Sequence, residues 1–356
     1  MNYKEKLNEL LLTTAQQKAS DLHITVGRRP TLRIDGALIS LQQEPILTPE
    51  DAQGLSLSLL TPALKDKLMR QGDVDFTYAF EDKARFRTNV YFQRGFFAAA
   101  LRLISAEVLT IDELGLPPLL RDFTNLSQGF VLVVGPAGQG KSTTLAAMLN
   151  EINHKRASHI VTVEDPIEYL FVQDKSIVSQ REVSTDSPDF HRAIRSILRQ
   201  DPDVLMIGEM RDRESIATAM TAAETGHLVF STLHTNSAEQ TIDRIVDSFP
   251  TEQQNQIASQ LAATLTGIVS QRLVPKIGGG RVPACELMFA NAAIKNLIRE
   301  KKFFQIDLVI ETSLQDGMIT LNRSLAELVK KKEVSLEMAE KYSLNPSELR
   351  LLLERI

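Results

Sequence analysis

Apolar residues at Leu7, Leu10, Leu11, Ala15 and Ala19 recur at helical spacing, so an amphipathic helix is predicted over residues 2–19. From Leu22 to about Leu103 the period changes to two. Short alternating runs, LHITV, TLRIDG, VDFTYAF, ARFRTNVYFQ and FFAAALRLI, are separated by glycine, aspartate and proline turns, with one helix expected over 49–71. This predicts a small α/β domain built on an antiparallel sheet. The next stretch, with Pro117 and Pro118, reads as a linker. From Ser127 onward, apolar strands at 130–134, 159–163, 203–207 and 228–232 alternate with helical patterns, as in a parallel sheet with helices on both faces. Beyond about residue 286 the pattern is helical, with candidates at 293–301, 321–331 and 335–356. The expected organisation is an N-terminal domain over 1–105, a linker over 106–125, an α/β core over 126–286 and a helical C-terminal region over 287–356.

The first core strand, FVLVV, runs into GPAGQGKSTT and then a helical pattern, the context in which a GxxxxGKS sequence forms a phosphate-binding loop. Gly135, Gly138 and Gly140 let backbone amides turn inward on phosphate oxygens, and Pro136, Ala137 and Gln139 complete the loop. Lys141 supplies a point charge to the terminal phosphates, Ser142 offers its hydroxyl to Mg2+, and Thr143 follows at the positive end of a helix. Three further segments fall at the ends of successive parallel strands. VTVEDPIEYL delivers Glu164 and Asp165, where a carboxylate could orient or deprotonate water; read alone, it is equally an acidic turn. DPDVLMIGEMRD brings Glu209 beside the phosphates behind a small Gly208, in the manner of a Walker B strand that reaches magnesium directly or through water. TGHLVFSTLHTNSA brackets a strand with His227 and His234, of which His234 is placed to sense the terminal phosphate.

Composition narrows the class. A net charge of −5 gives no reason to expect nucleic acid as the main partner, and there is no tryptophan to stack on bases. Arg192, Arg195 and Arg199 line one side of a helical pattern and read as solvated or as contacting another protomer. The single cysteine, Cys285, excludes an intrachain disulfide and a multi-thiolate zinc site, consistent with a reducing cytoplasm. No apolar window of about 18 residues is present, so membrane association is expected only through partners.

In this order and spacing, GPAGQGKSTT, VEDPIEY, DPDVLMIGEMRD and TGHLVFSTLHTNSA resemble the Walker A, Asp box, Walker B and His box of the secretion ATPase superfamily, the GspE/PilT family. QREV, VSQRLVPKIGGGRV and AAIKNLIRE sharpen the resemblance to its pilus-retraction branch. The resemblance spans nearly the whole chain. It implies a PAS-like α/β N-terminal domain followed by a RecA-like P-loop ATPase domain, assembled as a homohexamer that binds ATP and Mg2+. It further implies Glu164 as general base, Glu209 near the metal and His234 as the link between nucleotide state and the domain interface. Arg87 and Arg102, from the N-terminal domain, match arginines that complete the nucleotide site. The implied work is type IV pilus retraction in twitching motility, through an inner-membrane pilus platform protein (PilC-like) and in company with a retraction paralogue of PilU or PilT type. The implied location is cytoplasmic, peripheral to the inner membrane.

The chain departs from the family at several points. Ala137 and Gln139 occupy loop positions that act mainly through backbone amides, so binding should survive. YFQRG is shorter than the usual hairpin, which leaves the role of Arg94 open. Lys295 keeps a charge without the arginine fork, and Lys301 stands where a helix-ending glycine is common. An assembly or type II secretion motor would carry a longer N-terminal region and four zinc-binding cysteines. A P-loop kinase would carry an arginine-rich lid where this chain has SIATAMTAAETGH.

Overall fold

The computed structural model describes residues 2–34, 36–81, 84–104, 107–183, 185–210 and 212–355. The chain forms two units, residues 1–107 with 166–170, and residues 108–165 with 171–356. The boundary expected at 105–106 lies outside the described residues.

In the first unit, Asn2 caps α1 (Tyr3–Gln16), which buries Leu7, Leu10 and Leu11 as its spacing predicts. Strands β1 (Asp21–Ile24), β2 (Thr31–Ile34) and β3 (Ala37–Ser40) follow. The single helix expected over 49–71 is instead two, α2 (Pro49–Leu57) and α3 (Pro62–Gln71). Pro62 has no amide hydrogen and clashes with the backbone before it. Thr61 therefore leaves the helical region at ψ 162° and starts a new helix by accepting from Leu64 N. Strands β4 (Asp73–Phe80), β5 (Ala84–Gln93) and β6 (Phe96–Ile104) complete an antiparallel sheet ordered β3-β2-β1-β6-β5-β4. Arg94 and Gly95 join β5 to β6 with φ of 54° and 81°, a turn with both central residues left-handed.

In the second unit, the segment read as a linker buries Ile111 and Leu116 and forms α4 (Leu120–Thr124), which adds Leu120 and Phe123 to the core. The elements then run β7 (Gly129–Val134), α5 (Lys141–Lys155), β8 (His159–Glu164), β9 (Ile177–Glu182), α6 (Phe190–Ile197), β10 (Val204–Ile207), α7 (Arg213–Glu224) and β11 (Leu228–Leu233). Helices α8 (Ala238–Asp247) and α9 (Thr251–Thr264) lead to β12 (Leu265–Pro275) and β13 (Arg281–Phe289). The chain ends in α10 (Ala292–Arg299), α11 (Ile306–Thr312), α12 (Leu321–Lys330), α13 (Leu336–Tyr342) and α14 (Pro346–Arg355). The sheet order is β13-β12-β7-β11-β10-β8-β9, parallel except for β13.

Alternate residues of the central strands feed two cores, which is why these strands read as continuous apolar runs. Phe130, Leu132 and Val134 pack with α6 to α10 on one face, and Val131 and Val133 pack with α4 and α5 on the other. A smaller core joins Val274, Val282 and Ala284 of the β12–β13 hairpin to the C-terminal helices. No helix among the described residues is long and apolar enough to cross a membrane.

Candidate nucleotide site

Four neighbouring parallel strands, β7, β11, β10 and β8, place the predicted groups in a row at their C-terminal ends. The phosphate loop follows β7, His234 follows β11, Gly208 and Glu209 follow β10, and Glu164 is the last residue of β8. Within the loop, Gly135, Gly138 and Gly140 have φ of 150°, 73° and 81°, in the region that favours glycine. Gly135 is also required by space, since a Cβ there would come within 2.5 Å of the Gln271 carbonyl oxygen.

Lys141 is buried at the start of α5, where its Nζ donates to Gly135 O at 2.8 Å and Pro136 O at 2.9 Å. It also reaches His234 Nδ1 at 3.3 Å, and His234 Nε2 lies 3.1 Å from Glu209 Oε1. A lysine ammonium only donates, so Nδ1 accepts and Nε2 carries the proton that Glu209 accepts. Lys141, His234 and Glu209 thus form one polar chain. Glu164 is buried, its Oε1 accepting from Thr162 Oγ1 at 2.6 Å and Gln180 Nε2 at 3.3 Å. Beside it, a Cβ on Gly208 would come within 3.2 Å of the Val163 carbonyl oxygen, so the small residue relieves a tight approach at this strand end. The Ser142 hydroxyl and Glu209 carboxylate suit magnesium, which takes one or two protein oxygens and completes its shell with phosphates and water.

His227 Nδ1 lies 2.9 Å from Ala222 O and 3.2 Å from Thr225 Oγ1, at the end of α7. Arg87 and Arg102 belong to the first unit, directly opposite each other on β5 and β6. Arg102 pairs with Asp21 at 2.9 Å, and Arg87 is exposed. Arg94 sits in the hairpin turn.

Gln139, placed in the loop from the sequence, does more than supply an amide: its Oε1 accepts from Leu273 N at 2.7 Å. The residues of β12 that hold the site were not singled out from the sequence. Gln271 Nε2 donates to Gln139 O at 2.7 Å while its Oε1 accepts from Thr144 Oγ1, so β12 clasps the phosphate loop. On the other side of β12, Ser270 and Arg272 bond to Asn236, just beyond His234. Burial pushes Glu286 up to about 7 and lowers Arg272, each opposed by the other's charge. The signal available was a run of polar residues, Ser270, Gln271 and Arg272, within an apolar strand. Beside the loop, a cavity of about 390 Å³ is lined by Leu114, Leu116, Thr143, Thr144, Leu273 and Arg281, among others.

Residues 2–341 match the model of the type II/IV secretion system protein family. The chain belongs to that family. Among secretion system relatives, it is 44% identical to the type IV pilus retractation ATPase PilT of Pseudomonas aeruginosa, covering 94% of this chain and 96% of that one. It is 34% identical to the type IV pilus ATPase PilU of the same organism, over 98% of this chain and 91% of that protein. In structure it is similar to the pilus retraction motor PilT with bound ADP, with a TM-score of 0.89 at 48% identity, covering 98% of this chain and 99% of that one. The fold expected from the sequence is therefore that of the secretion ATPases, and the family's members include ATPases.

Proposed function

We infer that this chain is an ATP-hydrolysing motor that powers type IV pilus retraction in twitching motility. The carrying observation is the polar chain Lys141–His234–Glu209, set on strands whose neighbouring ends also carry the phosphate loop and Glu164. The similarity to PilT over nearly the whole of both chains supports the retraction assignment.

In this reading the loop amides of residues 135–143 cradle the ATP phosphates and the adjoining cavity, with its leucines, takes the base. Ser142 and Glu209 hold Mg2+, which offsets the negative charge of the phosphates. Glu164 orients the attacking water and takes its proton as the water oxygen bonds to the γ-phosphorus and the bond to ADP breaks. A terminal phosphate draws the Lys141 ammonium from its carbonyls and from His234. The imidazole then loses a partner, and the 234–238 loop registers the nucleotide state. Arg87 and Arg102 stabilise transition-state charge when supplied by a neighbouring copy, a contribution of about 10³ to 10⁵ in rate. The working form is a homohexamer in the cytoplasm, held at the inner membrane by a PilC-like platform protein.

A deletion strain tests the assignment. Excess, non-retracting pili restored to normal by the intact chain are expected, and bald cells would overturn it. Rescue only when a PilT-like paralogue is also present would assign the accessory role of PilU.

A further inference from the structure

Ser270, Gln271 and Arg272 are buried in the middle of β12, and a strand sends successive side chains to opposite faces. Gln271 serves the phosphate loop. Ser270 and Arg272 serve the segment after His234: Ser270 Oγ donates to Asn236 O at 2.9 Å, and Arg272 Nη2 donates to Asn236 Oδ1 at 2.9 Å and Asn236 O at 3.2 Å. Arg272 Nη1 donates to Gln271 O at 3.2 Å, the same carbonyl that Gly135 must clear. Opposite Ser270 on β13, Glu286 accepts from Ala238 N at 2.7 Å, at the start of α8. A single guanidinium thus touches both the carbonyl beside the phosphate loop and the backbone two residues beyond His234.

Burying a guanidinium is costly. An apolar residue of similar volume would pack between the strands at least as well, so a buried arginine here has to be explained by the geometry it fixes. Nη2 bonds to Asn236 while Nη1 bonds to Gln271 O, so the planar guanidinium fixes orientation as well as distance, a property that lysine lacks.

We propose that Arg272 is a positioning residue for hydrolysis: its Nη2 bonds to Asn236, anchored by the Nη1 bond to Gln271 O, hold the 234–238 loop so that the His234 imidazole stays between Lys141 and Glu209. The inference rests on the reading of His234 as the link between the phosphate loop and Glu209.

The test is single-turnover ATP hydrolysis and ADP binding by the full chain, for Arg272→Lys and Asn236→Ala, each made alone and in a His234→Ala background. Expected for Arg272→Lys is a tenfold or greater fall in rate with ADP affinity within twofold. In the His234→Ala background the same change should cost less than a further twofold, because the residue acts through the imidazole. An equal fractional loss in both backgrounds, or an unchanged rate with His234 present, overturns the proposal. Asn236 is exposed, so Asn236→Ala carries the same comparison should Arg272→Lys fail to show a cooperative thermal transition. Failure of the underlying reading looks different: His234→Ala alone would then hydrolyse ATP at the parent rate.

Discussion

Lys141 is held by two loop carbonyls and His234, which fix its ammonium inside the loop of residues 135–143. Lys141→Ala is expected to abolish ADP binding in calorimetry, while Glu164→Ala should bind ADP normally and lose turnover. Retained turnover in Glu164→Ala would remove it from the proton-transfer role. Gly135→Ala places a Cβ at 2.5 Å from the Gln271 carbonyl on left-handed backbone, and a loss of about 1–3 kcal/mol is expected in denaturant unfolding. Glu286 makes a pH-dependent prediction. Its proton is held more tightly in the folded state, so stability is greatest below the ordinary glutamate range, falls as pH rises to about 7, and is flat above. Glu286→Gln removes that slope, so its melting temperature relative to the parent should rise between pH 5 and pH 8. The swing is at most about 3 kcal/mol at 1.36 per pH unit. A difference independent of pH would show that Glu286 does not titrate there.

At the scale of elements, the end of α10 carries its own test. Lys301 adopts φ 54° just past the helix end, a conformation that costs a non-glycine residue about 1–2 kcal/mol. Lys301→Gly should raise stability by about 0.5–1 kcal/mol once glycine's greater freedom in the unfolded chain is subtracted. An unchanged or lower unfolding midpoint would count against strain at this position. The four central strands were legible because burial on both faces leaves an unbroken apolar run. Strand β9 was not, because IVSQRE at a sheet edge alternates with polar groups. The β12–β13 hairpin was hidden by the polar residues that make it important, Ser270, Gln271, Arg272 and Glu286. Prolines were legible as punctuation yet misread in consequence: Pro62 and Pro346 each begin a new helix where one long helix was expected. The linker reading failed to anticipate Ile111, Leu116 and Phe123 because apolar residues without a period give no sign of where they pack.

Across the whole molecule, residues 135–143, Glu164, Glu209 and His234 all fall within one unit, while Arg87 and Arg102 lie in the other and look like ordinary strand arginines. Their contribution is best read from mixtures. Arg102→Ala and Glu164→Ala chains are each expected to hydrolyse ATP poorly, and mixing them should restore part of the activity if the arginine acts across a subunit boundary. No rescue at any ratio would count against it. The net charge of −5 carries a further expectation, that added DNA leaves ATP turnover unchanged. Strand β12 also sets a limit on chain length. Because its odd and even positions serve different loops, one inserted residue ahead of Ser270 would exchange the two sides, turning the amide that clasps the phosphate loop toward Asn236 and the guanidinium toward the phosphate loop. Substitutions along β12 can be graded in their effect, whereas a change in the count of its residues would uncouple both loops at once.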